Sequence, residues 1–248
     1  MQPNTSTRTL SATPGKAQRG IGLVELMVGI TVGLIVTAGA AMVATRQINE
    51  HRRLMLEVQM QQDLRIAADL LQQDLRRAGY RGLPANSVWE PERDAGATPA
   101  KEASSSPYAA ASASAGGEQL LYQYARNDAS GALNTSNVLK SNEHFGVRWK
   151  KSNKSLEIQL GQDNWQPITD PDAVQIENFV ANVVTQQVSL ADLCDPTSAC
   201  VAAGTCPMQG VRRVDFTIKA VSKSDPTVKR TLQVSEKLRS DEISGACQ

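Results

Sequence analysis

The feature that most constrains this chain is an uncharged stretch of twenty residues, 26–45, near its amino terminus. As an α-helix, a stretch of this length spans about 30 Å, which is the thickness of the hydrocarbon core of a bilayer. Glu25 lies at the amino-terminal end of the same apolar run. A carboxylate inside a membrane costs about 3 kcal/mol on insertion scales, so an acid in this position predicts a functional role. The stretch therefore predicts a membrane helix with one acid at its start.

The residues that precede this helix, 1–20, form a basic leader without an apolar centre, which excludes a conventional secretory signal peptide. The leader carries three basic residues and no acidic one: Arg8, Lys16 and Arg19. This charge predicts that the amino terminus stays in the cytoplasm and that the rest of the chain crosses the membrane. An ordinary signal-anchored protein with a disordered tail predicts the same orientation, and only the spacing of Gly20 and Glu25 distinguishes the two.

That spacing has a chemical consequence. If the chain is cut after Gly20, the new α-ammonium group of Ile21 and the carboxylate of Glu25 fall on one helix face at positions i and i+4. The pattern resembles the class III signal of type IV prepilins and type II secretion pseudopilins, in which a basic leader ends in glycine and glutamate is the fifth mature residue. The resemblance implies cleavage between Gly20 and Ile21, N-methylation of Ile21, and a role for Glu25 in assembly. The mature proteins of that family usually have phenylalanine as their first residue. Ile21 departs from this pattern, which affects the expected efficiency of methylation more than that of cleavage.

Two interpretations of the small residues within the span stay open. Gly29 and Gly33 form a small-xxx-small pair, with Gly39 further along, which favours close packing or local flexibility of the helix. Glycine is also simply common in membrane helices. The span has no proline, although many members of the family have one there, so the sequence does not decide whether the helix melts on assembly.

The helix is predicted to continue beyond the membrane, because no proline or glycine lies between Arg46 and Ala78. Its apolar residues recur at three- and four-residue steps: Leu64, Ala67, Ala68, Leu71, Leu75 and Ala78. Gly79 favours the end of the helix. We expect a transmembrane half at 21–45 and a periplasmic half at 46–79 whose apolar stripe packs on a domain.

The segment 80–117 differs in composition from its neighbours. It is rich in alanine, serine, proline and glycine and contains little apolar surface, so it predicts a low-complexity connection. A binding loop built around Trp89 and Tyr108 is the less favoured alternative.

From residue 118 to residue 248 the pattern predicts a β-rich globular head. Apolar residues alternate in EQLLYQYAR, FGVRWK and SLEIQL, and turn residues separate these segments. Further strands are predicted at 174–184, 214–218 and 227–238. Together with the long helix, they predict an α+β fold in which the second half of the helix packs on a mainly antiparallel sheet.

Charge and motif content argue against several functions. Without the three basic leader residues, the 26 lysines and arginines become 23 against 25 acids, a net charge of −2 that gives no indication of nucleic-acid binding. The two histidines, His51 and His144, lie in unlike contexts, and no motif of a hydrolase, a metalloprotease or a nucleotide-binding site occurs. The chain is therefore predicted not to be an enzyme and to need no cofactor. A calcium site at Asp192 and Asp195 is weighed against an ordinary polar loop, which is favoured.

The four cysteines lie in the last quarter of the chain, at Cys194, Cys200, Cys206 and Cys247. An even number downstream of a membrane segment predicts two disulfides in an oxidising compartment. The absence of C-x-x-C pairs disfavours zinc. Three pairings are possible, and the interpretation that we favour joins Cys194 to Cys200 and Cys206 to Cys247.

The end of the predicted helix and a strand near the carboxyl terminus resemble one particular group within that family. The segment DLRRAGY at 74–80 and the strand VRRVDFTIKA resemble the PilW-like minor pilins and the J-type minor pseudopilins. The resemblance implies a non-enzymatic filament subunit, with a type IV pilin-like fold, that joins a tip or priming complex initiating type IV pilus assembly. Its implied partners are other minor pilins, the major pilin, the prepilin peptidase and the inner-membrane assembly platform.

The implied location is the bacterial inner membrane, with the head in the periplasm, and later the pilus tip. Three alternatives remain. A minor pseudopilin of a type II secretion system shares the amino-terminal motif. A tip adhesin would bind its ligand through 83–117 or the cysteine region. A membrane-anchored periplasmic enzyme would need a catalytic constellation that the sequence does not provide.

Overall fold

A single α-helix, α1, runs from Leu23 to Leu75 in the computed structural model. The structure describes residues 22–83, 106–109, 111–128, 130–245 and 247. The predicted cleavage site at Gly20 and Ile21, and Trp89 of the connection, lie outside the described residues. The chain divides into two compact units, Met1–His51 and Arg52–Gln248.

The helix ends slightly earlier than the predicted Ala78. The N–H of Arg77 donates to the carbonyl of Asp74, and the N–H of Ala78 donates to the carbonyl of Leu75, both at 3.0 Å. These i to i−3 bonds tighten the last turn. Gly79 then adopts a positive φ of 84°, and a Cβ on it would lie 2.6 Å from the Ser240 Cβ, so the chain leaves the helix at a position that requires glycine.

The head contains two antiparallel sheets. The first has five strands in the order β1-β2-β3-β4-β5. Its strands are β1 (Ser112–Ala113), β2 (Gln119–Gln123), β3 (His144–Lys150), β4 (Ser155–Leu160) and β5 (Trp165–Pro167).

The second sheet has four strands in the order β6-β7-β8, with β9 pairing on β7. Its strands are β6 (Val174–Ser189), β7 (Met208–Ser222), β8 (Lys229–Lys237) and β9 (Glu242–Ser244). A short helix, α2 (Ala199–Ala203), lies between β6 and β7.

The apolar stripe of α1 packs into one buried core with both sheets. All six predicted stripe residues are no more than 3% exposed: Leu64, Ala67, Ala68, Leu71, Leu75 and Ala78. Met60 extends the stripe by one turn. Tyr122 and Phe145 from the first sheet and Phe179 from the second belong to the same core. The α+β layout with a long helix on antiparallel strands is confirmed.

The predicted single sheet is wrong in detail, because the strands separate into two sheets after β5. Alternation within a strand reports which face is buried but not which strand is its neighbour. The short strands β1, β5 and β9 have no counterpart among the predicted ones, since two or three residues carry no periodic pattern. The described end of the connection also contributes to the head, through β1 and through Tyr108, which is 1% exposed.

Candidate assembly helix and cysteine cluster

The first part of α1, in the unit Met1–His51, presents an apolar surface that no other described residue of that unit covers. Every described residue from 22 to 51 is exposed. Leu34 is 64% exposed and Ile35 72% exposed. The helix is long and apolar enough to cross a membrane, with a mean hydropathy of 2.2 in its most apolar window. A soluble core helix, which buries most of its apolar surface, and a signal sequence near the amino terminus have the same length and composition. Here the apolar surface is exposed, so the segment has the length, composition and exposure of a membrane-spanning helix.

The hydroxyl groups of this segment are satisfied within the helix itself. Thr31 donates to the carbonyl of Val28 at 2.9 Å, and Thr37 donates to that of Gly33 at 2.9 Å. Such internal bonds are what a bilayer requires of polar groups. The threonines therefore need no partner helix.

Glu25 is different. It lies in the first turn of α1, where the positive end of the helix dipole favours an acid, and it is exposed. No described residue hydrogen-bonds to it or forms an ion pair with it. The predicted pairing with an α-ammonium group involves Ile21, outside the described residues, and stays a prediction. At Gly29, Gly33 and Gly39, no heavy atom lies within 4 Å of the position that a Cβ would occupy, so the helix can approach a partner closely at these points.

The second half of α1 is tied to the head by polar contacts as well as by its stripe. Glu57 lies 2.5 Å from the guanidinium of Arg230 on β8. Glu236 on the same strand accepts from Arg76 and Gln72, each at 3.0 Å. These pairs join two turns of the helix, about five turns apart, to one strand.

Asp74 anchors the last turn of the helix to the first sheet. Its carboxylate accepts from the hydroxyl of Tyr122 at 2.5 Å and from that of Tyr124 at 2.7 Å. Burial, reinforced by this carboxylate, raises the pKa of both tyrosines, which therefore stay protonated and donate. The helical pattern assigns Asp74 to a polar face of the helix and does not reveal this contact.

Glu143 is a buried acid that sequence reasoning missed. It is fully buried and accepts from the Tyr108 hydroxyl at 3.0 Å and the Asn134 side-chain amide at 2.9 Å. Backbone N–H groups of Arg126 and Lys140 also donate to it. A buried carboxylate with four donors organises the loop between β2 and β3. Since Tyr108 is buried in this network, it is not an exposed ligand contact for a binding loop.

The cysteines pair as Cys194–Cys247 and Cys200–Cys206, so the expected pairing is wrong. The reason is local for one bridge and tertiary for the other. Gly204, the residue after helix α2, has a positive φ and turns the chain back so that Cys206 meets Cys200. Strand β9 pairs with the start of β7 and thereby carries Cys247 to Cys194.

All four cysteines are buried and form one cluster. The sulfurs of Cys194, Cys200 and Cys206 lie within 4.8 Å of one another, but each belongs to a disulfide and offers no thiolate to a metal. Asp195 accepts from the N–H and hydroxyl of Thr197, which lowers its pKa and closes a polar turn.

Comparison with known families gives two matches. The family described as prepilin peptidase-dependent protein B matches residues 53–238, three quarters of the chain. The prokaryotic N-terminal methylation motif matches residues 15–41, which include Gly20, Ile21 and Glu25. No curated protein and no solved structure matches the chain.

Proposed function

This chain belongs to the family of prepilin peptidase-dependent protein B, and we propose that it is a minor pilin of the type IV pilus. After removal of its leader, it joins a tip or priming complex that initiates pilus assembly. The observation that carries this proposal is the uncovered apolar half of α1 with Glu25 in its first turn, inside a matched methylation motif.

The proposed mechanism follows from where apolar surface is stable. In the membrane, lipid covers residues 22–45. During assembly the same surface moves into a bundle of equivalent helices, so its apolar area stays out of water throughout. A carboxylate inside such a bundle needs a partner, and the α-ammonium of a neighbouring mature subunit supplies one for Glu25.

The proposed partners follow from these steps. The prepilin peptidase cuts between Gly20 and Ile21, and Ile21 is then N-methylated. The inner-membrane assembly platform, the other minor pilins and the major pilin contact the mature helix and the head. The head resides in the periplasm before it reaches the pilus tip. Two disulfides in one small region support an oxidising compartment.

The test is Glu25→Val in the full chain, expressed in a strain without its own copy. The variant protein is expected to enter the membrane at least as well as the original, because a costly charge is removed. Surface pili, counted by electron microscopy, are expected to be lost, because the neighbour's ammonium has no partner.

Glu50→Val is the matched control, since it makes the same chemical change at an exposed position of α1 beyond the apolar stretch. It is expected to leave pili unchanged. Normal pili with Glu25→Val would show that Glu25 is not an assembly contact in this subunit. Normal pili in a strain that lacks the protein altogether would refute the priming role.

A further inference from the structure

A cleft of about 670 Å³ opens in the head at the end of α1. Its walls are the segments 76–82 and 124–127, with Leu133, Arg239 and Ser240. Five of these residues are arginines: Arg76, Arg77, Arg81, Arg126 and Arg239. None of the described residues that line the cleft is acidic. Five guanidinium groups around one cavity concentrate positive charge in a head that has no overall basic charge.

Three of the arginines take part in the structure of the head. Arg76 forms an ion pair with Glu236 at 3.0 Å. Arg77 lies beside Tyr124 and acts to lower the pKa of its hydroxyl against the stronger effect of burial. Arg81 is 9% exposed, and its burial lowers its pKa against the opposing effect of Glu242. These three hold the wall in place and contribute positive potential to the cavity.

Arg126 and Arg239 differ from those three. Both are exposed, and neither forms an ion pair with any described residue. They come from segments far apart in sequence, since Arg126 follows β2 and Arg239 follows β8. Their guanidinium groups are therefore available to a ligand. The positive charge of the other three arginines favours an anionic ligand over a cationic one.

The wall between the arginines is apolar and fixed. Ala78, Ala125 and Leu133 line it together with the ring of Tyr124, which stacks on Phe145 with 3.8 Å between the ring centroids. The N–H of Ala125 donates to the carbonyl of Tyr80 at 2.7 Å. Gly82 has a positive φ, and a Cβ on it would collide with the carbonyl oxygen of Asn134. The cleft is thus pre-formed, as ligand sites usually are.

We propose that this arginine cleft binds an acidic peptide segment of another protein, one that carries carboxylates beside an apolar or aromatic side chain. The planar guanidinium groups of Arg126 and Arg239 match carboxylates in a two-pronged geometry, and the apolar wall receives the neighbouring side chain. A cavity of this size holds a few side chains.

A nucleic acid is the less favoured ligand. Its binding depends on many phosphate contacts along an extended basic surface. This positive potential is confined to one cavity, and Glu236 and Glu242 lie close to its arginines. The inference goes beyond the pilus role and does not depend on it, because every residue that lines the cleft belongs to the compact unit Arg52–Gln248 and none to the apolar half of α1.

The experiment measures fluorescence anisotropy with the full chain in detergent micelles. The first probe is a labelled octapeptide, Glu-Ile-Asp-Phe-Glu-Leu-Asp-Gly. The control probe is the same peptide with every acidic side chain replaced by its amide. A labelled oligothymidylate is the third probe. Saturable binding of the acidic peptide is expected below about 1 mM, with no binding of the amide peptide.

The test variant is Arg126→Gln/Arg239→Gln, which is expected to weaken binding by about tenfold or more. Its matched control is Arg65→Gln/Arg213→Gln, which removes two exposed arginines outside the cleft and is expected to leave binding unchanged. An unchanged thermal unfolding midpoint of both variants shows that the head is intact.

Three outcomes would overturn the proposal. The first is no saturable binding of the acidic peptide up to about 1 mM. The second is an equal loss in the control variant, which would show a response to net charge only. The third is tighter binding of the oligothymidylate than of the peptide, which would assign the cleft to nucleic acid.

Discussion

The first half of α1, up to His51, exposes every described side chain. The second half, from Arg52 to Leu75, buries Met60 and the five stripe residues that lie within the helix. Both halves are rich in apolar residues, but only the second has them at a helical period with charged residues on its other faces. An apolar stripe needs one partner surface, and the head supplies it. A helix that is apolar on all sides needs partners on all sides, which lipid or a bundle of like helices provides.

The largest expected effect comes from separating the two halves. A chain that begins at Arg46 lacks the uncharged stretch but keeps the stripe and the head. It is expected to stay in the supernatant after ultracentrifugation without detergent and to retain its circular dichroism, whereas the full chain sediments with membranes. Aggregation of the shorter chain would mean that the head depends on the apolar half.

Removing the disulfides should weaken the head and leave the membrane half unaffected. The bridge Cys194–Cys247 closes a loop of 53 residues, and Cys200–Cys206 one of 6. If the loss of chain entropy dominates, replacing the two cysteines of a bridge with serine lowers the free energy of unfolding. The expected loss is about 4 kcal/mol for Cys194–Cys247 and about 2 kcal/mol for Cys200–Cys206. Urea unfolding of the chain that begins at Arg46 measures both.

The full chain with either serine pair is expected to partition into membranes as before. Equal losses from the two bridges would contradict the loop-length argument. Peptide mapping without reductant that joined Cys194 to Cys200 would contradict the pairing itself.

Two leucines of α1 test the comparison with one chemical change. Leu71 is 1% exposed in the core, and Leu34 is 64% exposed. Leu71→Ala is expected to lower the free energy of unfolding of the head by about 3 kcal/mol, because it leaves a cavity. Leu34→Ala is expected to leave it unchanged. The measurement is chemical unfolding of the full chain in micelles, followed by tryptophan fluorescence, and similar effects of the two changes would remove the distinction between the halves.

The helix and its stripe could be predicted because their signals are local. A period of three to four residues from Leu64 to Ala78 reports both the helix and its buried face, and it does so to within a few residues. The apolar half of α1 could be predicted equally well from the sequence. A helix of twenty uncharged residues is long enough to span a bilayer and has no polar face to turn towards water. The central strands followed from alternation.

What could not be predicted depends on contacts between distant segments. The pairing of Cys194 with Cys247 requires β9 to lie beside β7, and a strand of three residues indicates neither its own existence nor its neighbour. Glu143 resembles any other acid in the sequence, because its donors lie at Tyr108 and Asn134. The five arginines of the cleft come from three separate segments of the chain. At the amino terminus, by contrast, the spacing of Gly20 and Glu25 lies within six residues, and a family match covers it.

The smallest expected effect is the pH dependence of the two ion pairs that one carboxylate, that of Glu157, forms in the head. Glu157 is 5% exposed, and burial acts to raise its pKa. Hydrogen bonds from Lys150 at 3.0 Å and Arg148 at 2.7 Å outweigh burial and hold the pKa below its usual value. Because the folded-state pKa is lowered, this contribution is present above the unfolded pKa and is lost as pH falls through the folded one.

Glu157→Gln should therefore destabilise the head at pH 7 by about 1 kcal/mol or less, and the difference from the original should shrink towards pH 3. Unfolding curves at the two pH values measure it. The control is Glu118→Gln, which removes an exposed pair with Lys151 and is expected to cost little at either pH. If the difference in the free energy of unfolding between Glu157→Gln and the unsubstituted protein grew as the pH fell, the prediction would be wrong.

The most direct test of the central claim, that the apolar half of α1 is a prepilin-type assembly helix, is the intact mass of the protein extracted from membranes. The original chain is expected to begin at Ile21 with one added methyl group. Gly20→Trp is expected to retain the 20-residue leader, because a bulky side chain replaces the hydrogen that the peptidase accepts. A mature chain that still carried its leader, or Gly20→Trp protein that still began at Ile21, would contradict the claim.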